Sequence, residues 1–380
     1  MLRTVERLHG NDSSSLPVQG TVPRELAGAL LQAYPHPGLN SRRHGDSRPL
    51  AISGIRFRDG QVSWYLASEN DRPPCPFVGP VAAIEARLAP LATSDAATAA
   101  WPVRDPGTGH WHTVVTAPDR GYAEHLVVRD GGAVVRSRRF PLDGAPLMHA
   151  DAVTSRYVVV MDLPVTYRRA AAMVGVRSPY AWQSGRPARI GLLPRHGDGD
   201  LRWFEVDPGY TFRTVNAYDE GDRVVVDVLW HEGAPEPGPA PVVRWTLDLH
   251  TGTACARSLT GEVRVAVTDP ATAGSRHRFV HTAAGSTIAR HDLETGRVEV
   301  HDLGAGRRAG QPVLVPGRAG GGWVMAFVED VAHRSTTVVV LDAFDVAGPP
   351  VAEIPLPVAV PTSSRATWAQ AGSVMLREVR

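Results

Sequence analysis

The chain has 380 residues, a formal net charge of +1 and a hydrophobic content of 43%. All its basic residues are arginine, and so balanced a charge gives no bulk field that would draw nucleic acid or an anionic membrane. Two cysteines, Cys75 and Cys255, are too few for a disulfide framework or a cysteine zinc site and point to a reducing cytoplasm.

The N-terminal stretch MLRTVERLHGNDSSS lacks the apolar run of a secretory leader. From there on, short β-rich runs alternate with Gly, Pro, Asp and Asn. Pro23–Gln32 follows a turn and is predicted helical. Ile55–Arg58 and Gln61–Tyr65 flank Asp59-Gly60, a strong hairpin signal, and His125–Arg129 and Ala133–Arg136 flank Asp130-Gly131-Gly132 in the same way. Tyr157–Met161 reads as a strand and Tyr167–Val176 as a helix. Further strands are predicted at Arg223–Leu229, Val242–Leu247, Val263–Val267, Val298–Leu303, Gly322–Phe327 and Thr336–Leu341. Gly233–Pro241 (GAPEPGPAP) reads as a loop between strands. The apolar runs are far shorter than the roughly 20 residues a spanning helix needs. Hairpins at regular spacing with little helix and no linker predict one all-β domain over residues 1–380, closed or radial in architecture.

Several segments, in order, resemble the carotenoid cleavage oxygenases. They are Leu16–Pro37 (LPVQGTVPRELAGALLQAYPHP), the hairpin Arg56–Tyr65, Leu147–Pro164 (LMHADAVTSRYVVVMDLP), Arg186–Asp227, Gln311–Asp330 and Val358–Trp368. The resemblance implies a seven-bladed β-propeller with a small roof of loops and helix over an axial tunnel. It also implies Fe(II) held on the axis by four histidines and oriented by outer carboxylates. Tyr167 and Trp182 would bound the roof segment and line the substrate path.

At the implied ligand positions this chain departs from the family pattern. The first histidine corresponds to Trp101 in AWPVRDPGTG, and the second is kept as His149. The third corresponds to Arg213 in FRTVNAY, and the fourth to Arg365 in PTSSRATW. A glutamate of the outer sphere corresponds to Gln311 in GQP. An indole offers no acceptor nitrogen and a guanidinium no lone pair, so no metal cofactor is expected. Other histidines (His110, His112, His125, His231 and His281) do not carry ligand spacing.

Arginines here would receive an anionic head group through forked hydrogen bonds or stabilise a developing oxyanion, with His149 moving protons. The alternative is pairing with local carboxylates such as Asp151 or Glu329. Trp101 would wall an unsaturated chain, beside Gln311. Asn216, in NAY, reads as a cap for backbone groups, and His44-Gly45-Asp46 as a tight turn. The function expected is a metal-independent cyclase, isomerase or lyase of secondary metabolism. Its substrate would be an apolar polyene, terpenoid or polyketide with an acidic head. Two rivals remain open: a non-catalytic carrier of such a ligand, and a residual Fe(II)-dependent dioxygenase of the carotenoid or stilbene type.

Overall fold

The structure is a computed structural model and describes residues 15–35, 50–68, 98–117, 120–176, 179–234, 238–317, 321–362 and 365–370. The turn expected at His44-Gly45-Asp46, and Cys75, lie outside these residues. The chain forms two compact units, one of residues 1–76 with 281–380 and one of residues 77–280.

The first unit contains a four-stranded antiparallel sheet in which Ala366–Gln370 pairs with Gly28–Pro35, followed by Leu50–Arg58 and Gln61–Ser68. Residues from opposite ends of the sequence thus share one sheet, with Leu30 opposite Trp368. The predicted helix Pro23–Gln32 is not formed: a turn closed by Leu26 N–H to Pro23 C=O leads into the strand Gly28–Pro35. Ala29, Leu30 and Leu31 are all buried, and strand pairing on both edges satisfies their backbone groups. That tertiary pairing outweighs the helix preference of an Ala-Leu run. The hairpin at Asp59-Gly60 has positive φ at both residues, 52° and 79°, as a type I′ turn requires. A second sheet joins Gln19–Gly20, Ala352–Pro355, Ser335–Asp342, Gly322–Asp330 and Arg307–Ala309, and Val313–Pro316 also pairs with Gly322–Asp330. Phe57, Met325, Phe327, Val338, Val340 and Ile354 fill the core of this unit. Each contributes about 1.5–3 kcal/mol by leaving water.

The second unit holds three blade-sized sheets. One runs Thr98–Ala99, Trp111–Thr116, Tyr122–Val128 and Val134–Pro141, with Val103–Arg104 also on Trp111–Thr116. The next runs Asp151–Val153, Tyr157–Asp162, Ala188–Pro194 and Arg202–Val206. The third runs Gly209–Glu220, Arg223–Glu232, Ala240–Asp248 and Ala254–Val263. Middle strands such as Tyr157–Asp162 are apolar on both faces and buried, whereas the edge strand Val134–Pro141 is exposed along most of its length and carries Arg136, Arg138 and Arg139. The predicted helix Tyr167–Val176 shrinks to Arg169–Met173, since Val165–Tyr167 pairs with Tyr180–Trp182 as a small hairpin. The expected strand Val263–Val267 is broken at Arg264, between Ala254–Val263 and Val265–Val267. A further sheet runs Val265–Val267, Phe279–Ala284, Thr287–Asp292 and Val298–Asp302.

Candidate functional site

The strand Gly209–Glu220 carries Arg213 and is irregular on both sides of it. Its pairing with Arg223–Glu232 slips by one residue between Tyr210 and Arg213, and again between Thr214 and Asn216. Bulges bend a strand and re-aim its side chains, and they concentrate beside functional sites. The first is braced locally: the Thr211 hydroxyl donates to the Arg213 carbonyl oxygen at 2.9 Å and accepts from the Arg213 N–H at 3.2 Å. The second is pinned by Asn216, whose side chain donates to the carbonyls of Thr272 and Ser275 and accepts from the Gly274 N–H at 3.1 Å. The capping role expected of Asn216 is therefore observed. Gly209, the strand's first residue, packs so closely on Trp230 that a Cβ there would lie 2.5 Å from the ring.

Between Thr211 and Arg213 the Phe212 ring collects aromatic neighbours. His149 meets it edge-on at 5.4 Å, Tyr210 at 4.9 Å and His231 at 5.3 Å. Tyr210 is buried beneath, and its hydroxyl donates to the Leu147 carbonyl at 3.0 Å, tying the strand to the segment that bears His149. Trp101 joins from the preceding sheet through its backbone N–H to the His149 carbonyl at 3.3 Å. Thr98 is the polar hub of this corner. Its hydroxyl accepts from the Met148 N–H, pairs with the Thr116 hydroxyl at 3.0 Å and bonds the Tyr180 hydroxyl. Tyr180 faces Tyr167 across the small hairpin, ring to ring at 5.8 Å, and Leu147 N–H donates to the Val165 carbonyl at its base. Trp182, on the same hairpin, packs with Leu147 and Phe212 on the core around Tyr210 and Trp230. Of the residues singled out from sequence, the structure thus groups Trp101, His149, Arg213, Tyr167 and Trp182 in one region of the second unit.

The electrostatics of this region are set by burial. Arg213 has its pKa lowered, first by burial and then by the like charge of Arg264, yet a guanidinium stays protonated at any working pH. Burial alone lowers the pKa of His231, with no neighbouring charge contributing. Burial raises Tyr180 to about 12 and raises Tyr210 further, so both phenols are neutral donors.

Gln311 and Arg365 belong to the other unit. The Gln311 side-chain N–H donates to the Ala366 carbonyl at 3.0 Å, next in chain to Arg365. Gln32, fully buried in the neighbouring strand, donates to the Pro361 carbonyl, so two amides clamp the segment that carries Arg365. Glu329 is engaged by Arg308 at 3.6 Å and by the Thr362 hydroxyl at 3.3 Å.

As a donor set for Fe(II), the four positions fit poorly. Only His149 presents a lone pair; the Trp101 indole and the two guanidiniums present donors. The Gln311 contact is one that an ionised glutamate, being acceptor-only, does not make. Sequence reasoning did not single out Phe212, Tyr210 or Tyr180, and it treated His231 as a bystander. Their signal is spatial: a bulge that turns Phe212 toward the histidines leaves no mark in hydrophobic periodicity.

Residues 80–370 match the profile of the family described as retinal pigment epithelial membrane protein. The carotenoid cleavage oxygenase of Mycobacterium tuberculosis is 25% identical over an alignment of 474 positions, covering 94% of each protein. The apocarotenoid-15,15'-oxygenase of Synechocystis is 24% identical, covering 63% of this chain and 55% of that protein. Among solved structures, the lignostilbene dioxygenase of Pseudomonas brassicacearum superposes with a TM-score of 0.76 at 20% identity, covering 94% of this chain and 95% of that one. A cobalt-substituted Synechocystis apocarotenoid oxygenase gives 0.77 at 18% identity over the same shares. These likenesses show the fold as the all-β, seven-bladed propeller of the carotenoid oxygenases.

Proposed function

Because this chain belongs to the retinal pigment epithelial membrane protein family, that of the carotenoid oxygenases, we propose that it keeps the family's receptor for an unsaturated, largely apolar molecule and has exchanged iron for a cationic anchor. The observation that carries this reading is Arg213. It stands where the family pattern has a ligand histidine, yet a bulge braced by Thr211 sets it in place beside a cluster of aromatic rings. A chain that had merely lost its metal has no reason to retain such bracing, nor to replace a glutamate by a glutamine that donates to the Ala366 carbonyl.

The ligand proposed is a polyene, terpenoid or polyketide with an acidic head group. Its carboxylate or enolate would meet Arg213, with Trp101, Tyr167 and Trp182 as apolar and stacking surface. Arg365, in its own unit, is proposed as a second arginine able to meet an anion, with Gln311 fixing the backbone beside it. With His149 to move protons and arginine to stabilise developing negative charge, the reaction classes that fit are cyclisation, isomerisation and elimination without a metal. Holding a flexible polyene in one folded form supplies a further part of such catalysis. A soluble cytoplasmic setting fits this role, and none of the described helices is long and apolar enough to cross a membrane.

The test is binding of all-trans-retinoic acid, used as a conjugated carboxylate probe, against all-trans-retinol, followed by quenching of tryptophan fluorescence. The acid is expected to bind at least about tenfold more tightly than the alcohol, the worth of one charge-assisted hydrogen bond. Arg213→Gln should erase the difference. Equal affinity for acid and alcohol in the unmodified protein would overturn the proposal.

A further inference from the structure

His231 ends the inward run of the strand Arg223–Glu232 and pairs across the sheet with Tyr210. Its imidazole meets the Phe212 ring at 5.3 Å and 83°, while His149, from a different sheet, meets the same ring at 5.4 Å and 77°. Two imidazoles from separate segments therefore share one phenyl ring, which is next in chain to Arg213. Exposure divides the cluster into an outer and an inner part. His149 is exposed, Phe212, Arg213 and His231 are half-buried, and Tyr210 is sealed beneath with its hydroxyl committed to Leu147. What solvent meets is a phenyl ring edged by two imidazoles, with Arg213 next in chain. At neutral pH a neutral imidazole offers one donor and one acceptor, so it can hold a polar substituent of a ligand without demanding charge.

We infer that His231 is a second ligand-contacting imidazole of this site. A conjugated acid lying on Phe212, with its carboxylate at Arg213, touches His149 on one side and His231 on the other. This inference rests on the reading of the site as a receptor for an unsaturated acid. It assigns His231 a role in specificity: a hydroxyl or carbonyl group on the ligand chain finds a hydrogen-bonding partner at a fixed distance from the anionic head. Among isoprenoid and polyketide acids, those with an oxygen on the chain would be favoured over those with a plain hydrocarbon chain.

The test uses diethyl pyrocarbonate, which acylates accessible neutral imidazoles, on the full-length protein at pH 7, with peptide mapping by mass spectrometry. Tryptophan fluorescence in the same samples reports how much all-trans-retinoic acid is bound. In the free protein His149 and His231 are expected to react, whereas buried His112, His125 and His281 stay unmodified. With the acid at about ten times its Kd, both reactive sites should slow about tenfold, while exposed His250 reacts as before. His231→Leu should weaken binding of 4-oxo-retinoic acid, which carries a chain carbonyl, about twofold to tenfold, the worth of one neutral hydrogen bond, and leave retinoic acid binding within about twofold, without lowering the thermal midpoint. Bound acid that protects His149 but not His231, or a His231 that never reacts in the free protein, would overturn the inference and leave the proposed function standing. Fluorescence showing no bound acid would remove the proposed function and the inference together.

Discussion

Thr211 holds Arg213 by both of its backbone polar groups, one hydroxyl donating to the carbonyl and accepting from the N–H two residues on. The hydroxyl is sealed from water, so its loss leaves both groups to find other partners. Thr211→Val keeps the shape and removes both bonds. It is expected to cost about 1–3 kcal/mol of unfolding free energy in urea. It should also weaken retinoic acid binding more than retinol binding, because the bulge then no longer fixes the guanidinium. Equal weakening of both ligands would mean that the bulge does not position Arg213.

Gln311 makes the mirror-image case in the other unit. Restoring glutamate there places an acceptor-only carboxylate against the Ala366 carbonyl oxygen. Gln311→Glu should lower stability by about 1–2 kcal/mol and should not confer iron binding. A stable variant that takes up Fe(II) would show that the ancestral metal site persists.

Asp227, opposite Asn216, anchors the sheet that carries Arg213. Arg244 grips its two carboxylate oxygens at 2.8 and 2.7 Å, and His277, itself 3.0 Å from the Asn216 amide, adds a contact at 3.1 Å. The Arg244 and His277 bonds hold its carboxyl below the usual range even though burial, the largest single effect, pushes the other way. Asp227→Asn strips the charge that Arg244 needs and should cost about 3–5 kcal/mol, read as a shift in urea midpoint.

Three buried histidines make the fold acid-sensitive. His112 and His125 share a hydrogen bond of 3.0 Å with rings stacked at 5.2 Å. Among the described residues, neither nitrogen of His281 has a hydrogen-bond partner. Burial leads in lowering each, with nearby positive charge adding, to about 4 for His112 and His281 and about 3 for His125. An unfolded imidazole titrates near 6.5, so below that pH the unfolded chain takes up protons that the folded chain refuses. Stability contributed by the neutral buried rings is whole above about pH 6.5 and falls as pH drops toward 4 and 3. His281→Leu removes two unpartnered polar atoms and should be neutral or stabilising at pH 7. It should also flatten the acid slope by up to about 1.4 kcal/mol per pH unit. A slope unchanged by the substitution would contradict the assignment.

Much of the architecture was legible from residues. Asp59-Gly60 marked the hairpin because Asp-Gly readily takes the two positive φ values of a type I′ turn, whose twist matches that of the flanking strands. The ordered segments from Leu147 to Asp227 pointed to the fold. The run Pro23–Gln32 misled because its apolar residues are buried by pairing from Ala366–Gln370, more than three hundred residues away, and local propensity does not register such partners. The aromatic cluster was hidden for a related reason. Counting back from the turn at Gly221 places His231 opposite Phe212, but two extra residues in the bulged strand bring it opposite Tyr210 and leave Phe212 free to turn toward His149. The identities of Trp101, Arg213 and Arg365 were plain in the sequence, whereas the bracing of Arg213 needed coordinates.

The most direct test of the account is its claim that the family's iron has been exchanged for a cationic anchor. Purified protein would be incubated with Fe(II) under nitrogen, desalted and analysed for iron, with circular dichroism recording the fold. The account predicts folded protein whose iron content does not rise above that of a His149→Ala control run alongside. Tightly held, stoichiometric iron in the unaltered protein would contradict it and return the chain to the oxygenases.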